Sequence, residues 1–244
     1  MDVTVETKGP VSVVRINRPE RLNAINNPVA KGIQEAMQEF DRSDQRVAII
    51  SAVGTRAFTG GADVNDLPEL WRCIPDVGFR TDKPIIAAVS GWCVGGGIVL
   101  AMMCDLMVAS ENAIFYYPEA KLGVTGGMIS SLASRMPHKL AMEVMLLGRK
   151  VSARRAYEVG FVNEVVPDGQ HETAALAMAE ELVGMAPLVL GTLKRFVNDM
   201  VLPIGPVERA SRVSQATARV RDSADVKEGI AAFKEKRAPR FQGR

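Results

Sequence analysis

An α/β fold is predicted by three features of the sequence. The stretches RVAIISAV and KPIIAAVSG are apolar without alternation, the pattern of strands covered on both faces of a parallel sheet. The second leads into three consecutive glycines, a helix-like apolar stretch over 98–103 and a further strand-like run, DLMVAS. Beyond about Gly123 the pattern turns almost wholly helical. Strand, helix, strand, glycine loop, helix, strand is a βα alternation, and α/β is the class it implies.

In chain order, VTVETKGPVSVVRI reads as a hairpin, two strand-like runs around Gly9 and Pro10. In NPVAKGIQEAMQEF, Val29, Ile33, Met37 and Phe40 recur at helical spacing, with Asn27 placed to cap and Pro28 at the first helical position. Helices are expected over 128–136, 138–147, 153–159, 173–185, 188–200, 206–220 and 224–236, with FVNEVV as a lone short strand. No internal repeat of solenoid length is evident. The chain divides into a core over 1–190 and a helical region over 191–244 that packs on the core or on a neighbouring subunit.

A chain of 244 residues, 47% hydrophobic and 24% charged, can bury one sizeable core. Its net charge of +2 gives no global reason to bind nucleic acid. The basic ending KEKRAPRFQGR reads as a solvated tail, with a phosphate-binding patch as the alternative. Cys73, Cys93 and Cys104 are odd in number and form no CxxC pair, which argues against a disulfide framework or a zinc site and for a reducing cytoplasm. The start lacks a charged segment followed by an apolar one, so no signal peptide is expected, and no apolar run is long enough to suggest a membrane span.

Two stretches follow a buried strand, carry consecutive glycines and read as opening a helix: AFTGGADV over 57–64 and GWCVGGGIV over 91–99. Neither is GxGxxG and neither contains GK[ST], so nucleotide-binding loops fit poorly. Glycine at such a turn leaves backbone N–H groups uncovered, and a helix start adds unpaired ones. Two facing loops can hold one oxygen between two donors, an oxyanion hole, worth about 3–4 kcal/mol per donor when that oxygen becomes charged. Taken as glycines alone, both runs equally allow plain tight packing of strand on helix.

The stretches NRPERLNAI, AFTGGADV, KPIIAAVSGWCVGGGIVLAMMCD, YYPEAKLG and AFKEKRAPRF, in that order, give the chain a resemblance to the crotonase (enoyl-CoA hydratase/isomerase) superfamily that runs nearly end to end. The resemblance implies a crotonase-like ββα spiral core with a helical C-terminal trimerisation region. It implies an acyl-CoA thioester as substrate, its carbonyl oxygen held by the N–H groups of Gly60 and Gly96. It also places CoA against Arg21, Leu22 and Ala62, and against Phe233 and Lys236 of the last helix, often reaching in from a neighbouring subunit. A homotrimer or homohexamer is expected, with no metal and no separate cofactor, since CoA arrives as part of the substrate. Nucleic acid and membrane are not expected partners.

Family hydratases carry one glutamate three residues after the second donor glycine, where this chain has Val99, and another in the PE step, where it has Glu119. From the residues themselves Glu119 is the best general acid or base. It follows the aromatic, apolar AIFYYP, where desolvation raises a carboxyl pKa, although a glutamate just past a proline also reads as a solvated loop residue. Adding water to a 2-enoyl thioester calls for a held water, which valine cannot hold. One carboxylate suffices to take a proton from the α carbon and return it at C4. Isomerase-type proton transfer is therefore favoured over hydration by one carboxylate, and over a non-catalytic acyl-CoA-binding protein.

Two departures from the family pattern bear on the pocket. The interval from Asp63 to Lys83 is short, and LGVTGGMISS lacks a longer proline-containing loop. Asp63 resembles a helix N-cap, and Asp105 reads as structural. Of Tyr116 and Tyr117, one is expected to face the pocket, and the residues do not say which. His138 and His171 stand beside neither glycine loop and no GxSxG occurs, which disfavours a Ser-His-Asp hydrolase; both read as solvated or capping. Cys93 reads as a small buried apolar residue.

Overall fold

Each βα turn of the chain lays one strand into each of two sheets, so the strands stack as a spiral. The computed structural model describes residues 1–244, the side chain of Pro206 excepted. The larger sheet has the order β1 (Val3–Lys8), β2 (Val11–Ile16), β3 (Val47–Ala52), β5 (Ile85–Val89), β7 (Leu106–Ser110), β10 (Glu164–Val166). The first pair is the antiparallel hairpin expected around Gly9, and the other neighbours are parallel. The smaller sheet runs β4 (Ala57–Thr59), β6 (Trp92–Val94), β8 (Ile114–Tyr116), β9 (Val151–Ser152). In it β4, β6 and β8 are parallel, while β9 is antiparallel to β8.

Strands β3 and β5 are buried at every position because two helical layers cover them. Ala48, Ile50, Ile85, Ala87 and Val89 face a core shared with α1 (Asn27–Arg42) and α2 (Gly96–Met102). Val47, Ile49, Ile86 and Ala88 face Ala175 and Ala179 of α6 (His171–Val183). That double cover explains the unbroken apolar runs.

Helix α1 is capped by Asn26, whose Oδ1 accepts the Val29 N–H at 2.9 Å, one residue before the expected cap. Asn27 is thereby free to tie down the segment that follows the first glycine loop. Its Nδ2 donates to Asp66 Oδ1 (3.0 Å) and Leu67 O (3.1 Å), and its Oδ1 accepts the Glu69 N–H (3.0 Å).

The helical end of the chain comprises α3 (Glu119–Leu122), a 3-10 segment Met128–Ser134, α4 (His138–Leu147), α5 (Ala153–Glu158), α6, α7 (Pro187–Phe196), a wider turn Val197–Val201, α8 (Pro206–Arg221) and α9 (Ala224–Glu235). Position 190/191 lies inside α7, and the turn joining α6 to α7 spans 184–186. Helix α8 packs on the 3-10 turn Leu70–Cys73 and on Met128–Ser134, and α9 packs on α8. Among the described residues no single helix is long and apolar enough to cross a membrane.

His171 departs from expectation. It shares a helical face with Ala175 and Ala179, is only 6% exposed, and its Nδ1 has no hydrogen-bond partner among the described residues. Burial holds its pKa below the ordinary value.

Candidate active site

The first glycine loop is fastened to a hook made by NRPERLNAI. Leu22 and Asn23 adopt left-handed backbone (φ 51° and 54°). The buried Asn23 side chain holds the hook, donating to Val53 O (3.1 Å) and Ala57 O (2.7 Å) and accepting the Arg18 N–H (2.9 Å). Hook and loop then zip together. Gly60 N–H donates to Leu22 O (2.7 Å), Ile25 N–H to Gly61 O (2.8 Å) and Asp63 N–H to Ile25 O (2.8 Å). Gly61 N–H goes to Thr59 Oγ1 at 3.1 Å.

Gly60 is therefore not available as an oxyanion donor, which corrects the sequence expectation: its N–H is already spent on a backbone carbonyl. In the parallel bridge between Ile25 and Ala62 the bonds to Ile25 come from residues 61 and 63, so the N–H of Ala62 points to the opposite side. Among the described residues it has no hydrogen-bond acceptor. Nor does this loop open a helix. Asp63 caps a tight turn, accepting the Asn65 N–H (3.1 Å), and pairs with Arg18 (3.1 Å). That N–H first, and Arg18 second, hold its carboxyl below the usual range.

The second loop does open a helix. Gly95 precedes α2 with φ 55° and ψ −116°, a conformation that favours glycine. Its N–H donates to Tyr116 O at 2.9 Å. Gly96 and Gly97 begin α2, and their N–H groups have no backbone acceptor among the described residues, as expected in a first helical turn. The loops abut: a Cβ on Gly61 would lie 3.1 Å from Val94 O and 3.9 Å from Gly95 Cα. Leu70 closes over the helix start, its Cδ2 only 2.9 Å from where a Cβ of Gly96 would stand.

Glu119 opens α3, directly after β8 and Pro118, and its carboxylate lies against Gly95, so that a Cβ there would collide with Oε1. Oε2 is buried without a hydrogen-bond partner. Burial without compensation pushes the Glu119 pKa up from the ordinary 4.5 to about 7, opposed only in part by its own backbone N–H. Val99 is buried one turn into α2.

Neither tyrosine hydroxyl bonds to Glu119. Tyr117 is buried and its hydroxyl pairs with Thr125 Oγ1 at 2.8 Å. Tyr116 lies on the outer face of the smaller sheet, tilted against Trp92, with Lys121 and Lys150 over its ring.

The other candidates separate. Arg21 is exposed, and Leu22 spends its N–H on Pro19 O within the hook and its carbonyl on Gly60 of the loop. Phe233 (86% exposed) sits on α9 and Lys236 ends it in left-handed backbone, and neither is brought to Glu119 within one chain. Cys93 is buried, which pushes its thiol pKa up and leaves no reactive thiolate. Asp105 is structural, accepting the Ile85 N–H (2.7 Å) and Lys194 Nζ (2.7 Å). Sequence reasoning missed Arg18, Asn23 and Thr125. Asn23 lies in the NRPERLNAI stretch but is brought to the glycine loop only by the fold, and Thr125 carried no signal either. A cavity of about 500 Å³ lies at the far end of α2, between Met102, Met103 and α7, and Glu119 is not in its wall.

A model of the enoyl-CoA hydratase/isomerase family matches residues 6–244. A carnitinyl-CoA dehydratase of Salmonella typhi is 36% identical over 252 residues, spanning 97% of this chain and 96% of that protein. A putative enoyl-CoA hydratase of Thermus thermophilus is 35% identical, spanning 96% and 98%. The crystal structure of carnitinyl-CoA hydratase from Mycobacterium avium superposes with a TM-score of 0.78 at 34% identity, covering 100% of this chain and 99% of that one. The hook, the paired glycine loops and the glutamate at the end of β8 thus sit on a shared fold, and the chain belongs to the enoyl-CoA hydratase/isomerase family.

Proposed function

We propose that this acyl-CoA enzyme carries out a 1,3-proton shift on a 3-enoyl-CoA, with Glu119 as the only acid/base. The Glu119 carboxylate takes a proton from the α carbon. The electron pair spreads through the dienolate to the thioester oxygen, which accepts hydrogen bonds from the N–H groups of Ala62 and Gly96. Glu119, now protonated, returns the proton to C4, giving the conjugated 2-enoyl thioester. This proton transfer calls for no metal or redox group.

The observation that carries the reading is the Glu119 carboxyl, its Oε2 buried without a partner, raised to about 7 and set against Gly95, with buried Val99 where a second acid would stand. A carboxyl that titrates near the working pH both accepts and gives a proton readily. Support for Ala62 as donor is that its N–H is the one left over in its loop.

A second reading, addition or elimination of water by the same glutamate, is favoured by relatives named hydratase and dehydratase. One experiment separates the two: a 3-enoyl-CoA and a 2-enoyl-CoA are incubated with the protein in D₂O and analysed by chromatography and mass spectrometry. Conversion of the 3-enoyl substrate without water addition supports the proton shift, and a water adduct of the 2-enoyl substrate overturns it.

For the whole assembly we infer a homotrimer or homohexamer. Leu188, Val189, Phe196, Met200 and Val201 expose a continuous apolar face on α7 and the turn after it, and Phe233 stands free on α9. In such an assembly Phe233 and Lys236 are available to CoA bound on a neighbouring subunit, with Arg21 and the Leu22 side chain beside the nucleotide on the chain's own face.

A further inference from the structure

Glu119 is held in an unusual way for a group that must aim at one carbon atom. Among the described residues Oε2 of its side chain is buried without a hydrogen-bond partner, and the bond its carboxyl does receive comes from its own backbone N–H, so its aim depends on the backbone that carries it. That backbone is a single helical turn. Lys121 and Leu122 N–H donate to Pro118 O (2.8 and 3.2 Å), Val124 N–H donates to Glu119 O (3.2 Å), and Gly123 ends the turn at φ 71°. The loop after it is exposed and thinly packed: Leu122 and Val124 face solvent, and a Cβ at Gly123 or Gly126 would meet no atom within 4 Å.

What returns this loop to the body of the protein is one hydroxyl. Thr125 Oγ1 pairs with the hydroxyl of buried Tyr117 at 2.8 Å and accepts the Gly127 N–H at 3.0 Å. Gly127 in turn lies against Val207 of α8. The chain from 117 to 127 is thereby closed into a ring, pinned at Tyr117 in the core and at Gly127 under α8, with Glu119 on its rim. Among the described residues the only other polar side-chain tie in the ring, Lys121 Nζ to Gly148 O (3.1 Å), acts on the helical turn rather than on the loop.

The geometry points to Thr125, through its bond with Tyr117, as a positioning residue that fixes the turn carrying Glu119 in this chain. The inference rests on Glu119 being the acid/base. Misplacement of a reacting group by about 1 Å costs on the order of a hundredfold in rate, and an untied loop shifts its turn by a fraction of that.

The test compares Thr125→Val, Thr125→Ser, Tyr117→Phe, the Val/Phe double variant and Glu119→Gln. Turnover of a 3-enoyl-CoA and of a 2-enoyl-CoA is measured together with KM and melting temperature. The Glu119 carboxyl is titrated by NMR in protein labelled with ¹³C-glutamate, a readout that needs no substrate. No charged side chain contributes to the Glu119 shift, and Tyr117 is the titratable group that feels its charge. Loosening the turn admits water, so the Glu119 midpoint moves down from about 7.

Thr125→Val and Tyr117→Phe are each expected to lower kcat about tenfold with KM within about twofold. The double variant should be no worse than either single one, Thr125→Ser should restore kcat, and the Glu119 midpoint should fall in Thr125→Val alone of the two threonine variants. Wild-type kcat and midpoint in Thr125→Val, or a Thr125→Ser as impaired as Thr125→Val, overturns the role. An inactive Glu119→Gln beside a fully active Thr125→Val removes the clasp and leaves the acid/base standing. Full activity in Glu119→Gln removes both.

Discussion

In the first glycine loop the N–H groups of Gly60, Gly61 and Asp63 are all taken up, and the free one belongs to Ala62. In the second the free N–H groups belong to glycines because a helix begins there. The two stretches look alike as sequence, yet one frees a donor by zipping its neighbours onto a hook and the other by starting a helix. Glycine serves approach in both. Gly61 lets the first loop touch Val94, Gly95 makes room for Glu119, and Gly97 makes room for Thr59. A donor is identified by where its neighbours' bonds go rather than by the absence of its side chain.

The sharpest break in this pairing is chemical. Glu119→Gln keeps the shape and removes the titrating group, and turnover should fall about 10³-fold while affinity for a CoA thioester stays within a few-fold. Retained turnover would remove Glu119 from the chemistry whatever the loops do.

Next comes the difference between the loops themselves, read by exchanging single backbone amides for esters. An ester at position 62, with lactic acid in place of alanine, removes the free donor and should cost about 10²-fold to 10³-fold in kcat. An ester at position 60 removes the bond to Leu22 and should cost about 1 kcal/mol of stability with kcat little changed. The reverse pattern would return the donor role to Gly60.

Gly95→Ala is a smaller perturbation. The added methyl group meets the Glu119 carboxylate and the backbone sits at φ 55°. Strain of about 1–3 kcal/mol is expected in the melting curve, with roughly a tenfold to hundredfold loss of kcat. Gly126→Ala, where a Cβ would meet nothing within 4 Å and φ is not positive, is the matched control and should leave kcat unchanged.

Much of this was legible in the residues, and most of what was not depends on contacts distant in sequence. The buried strands announced themselves because both faces are covered, and the helices of the C-terminal third because their periodicity is local. The position of Glu119 after an apolar strand carried its raised pKa with it. Gly60 misled because hydrogen-bond direction is set by a bridge between Ile25 and Ala62, far apart in sequence. Asn26 rather than Asn27 caps α1 because Asn27 is engaged with residues 66–69. His171 reads as solvated or capping from its polar neighbours, although its spacing to Ala175 and Ala179 puts it on the buried face. The misses at Gly60 and Asn27 are long-range contacts overriding a correct local propensity, whereas that at His171 lay in the local spacing itself.

The smallest effect tests the electrostatics of Glu119 without any substrate. Its pKa in the folded chain is raised to about 7 from an ordinary 4.5, so between those pH values the folded state holds a proton that the unfolded state has released. Stability must then decline as pH rises from about 4.5 to about 7 and level off beyond, the opposite sense to a carboxylate held by an arginine. Glu119→Gln carries no such proton. Its melting temperature should match the wild type at pH 4.5 and exceed it at pH 8, with the gap opening across that interval. Since the carboxyl is half-exposed and partly screened by water, the gap is on the order of a few °C. A constant gap at all pH values would mean that glutamine changes packing alone, and that the carboxyl beside Gly95 titrates as it does in water.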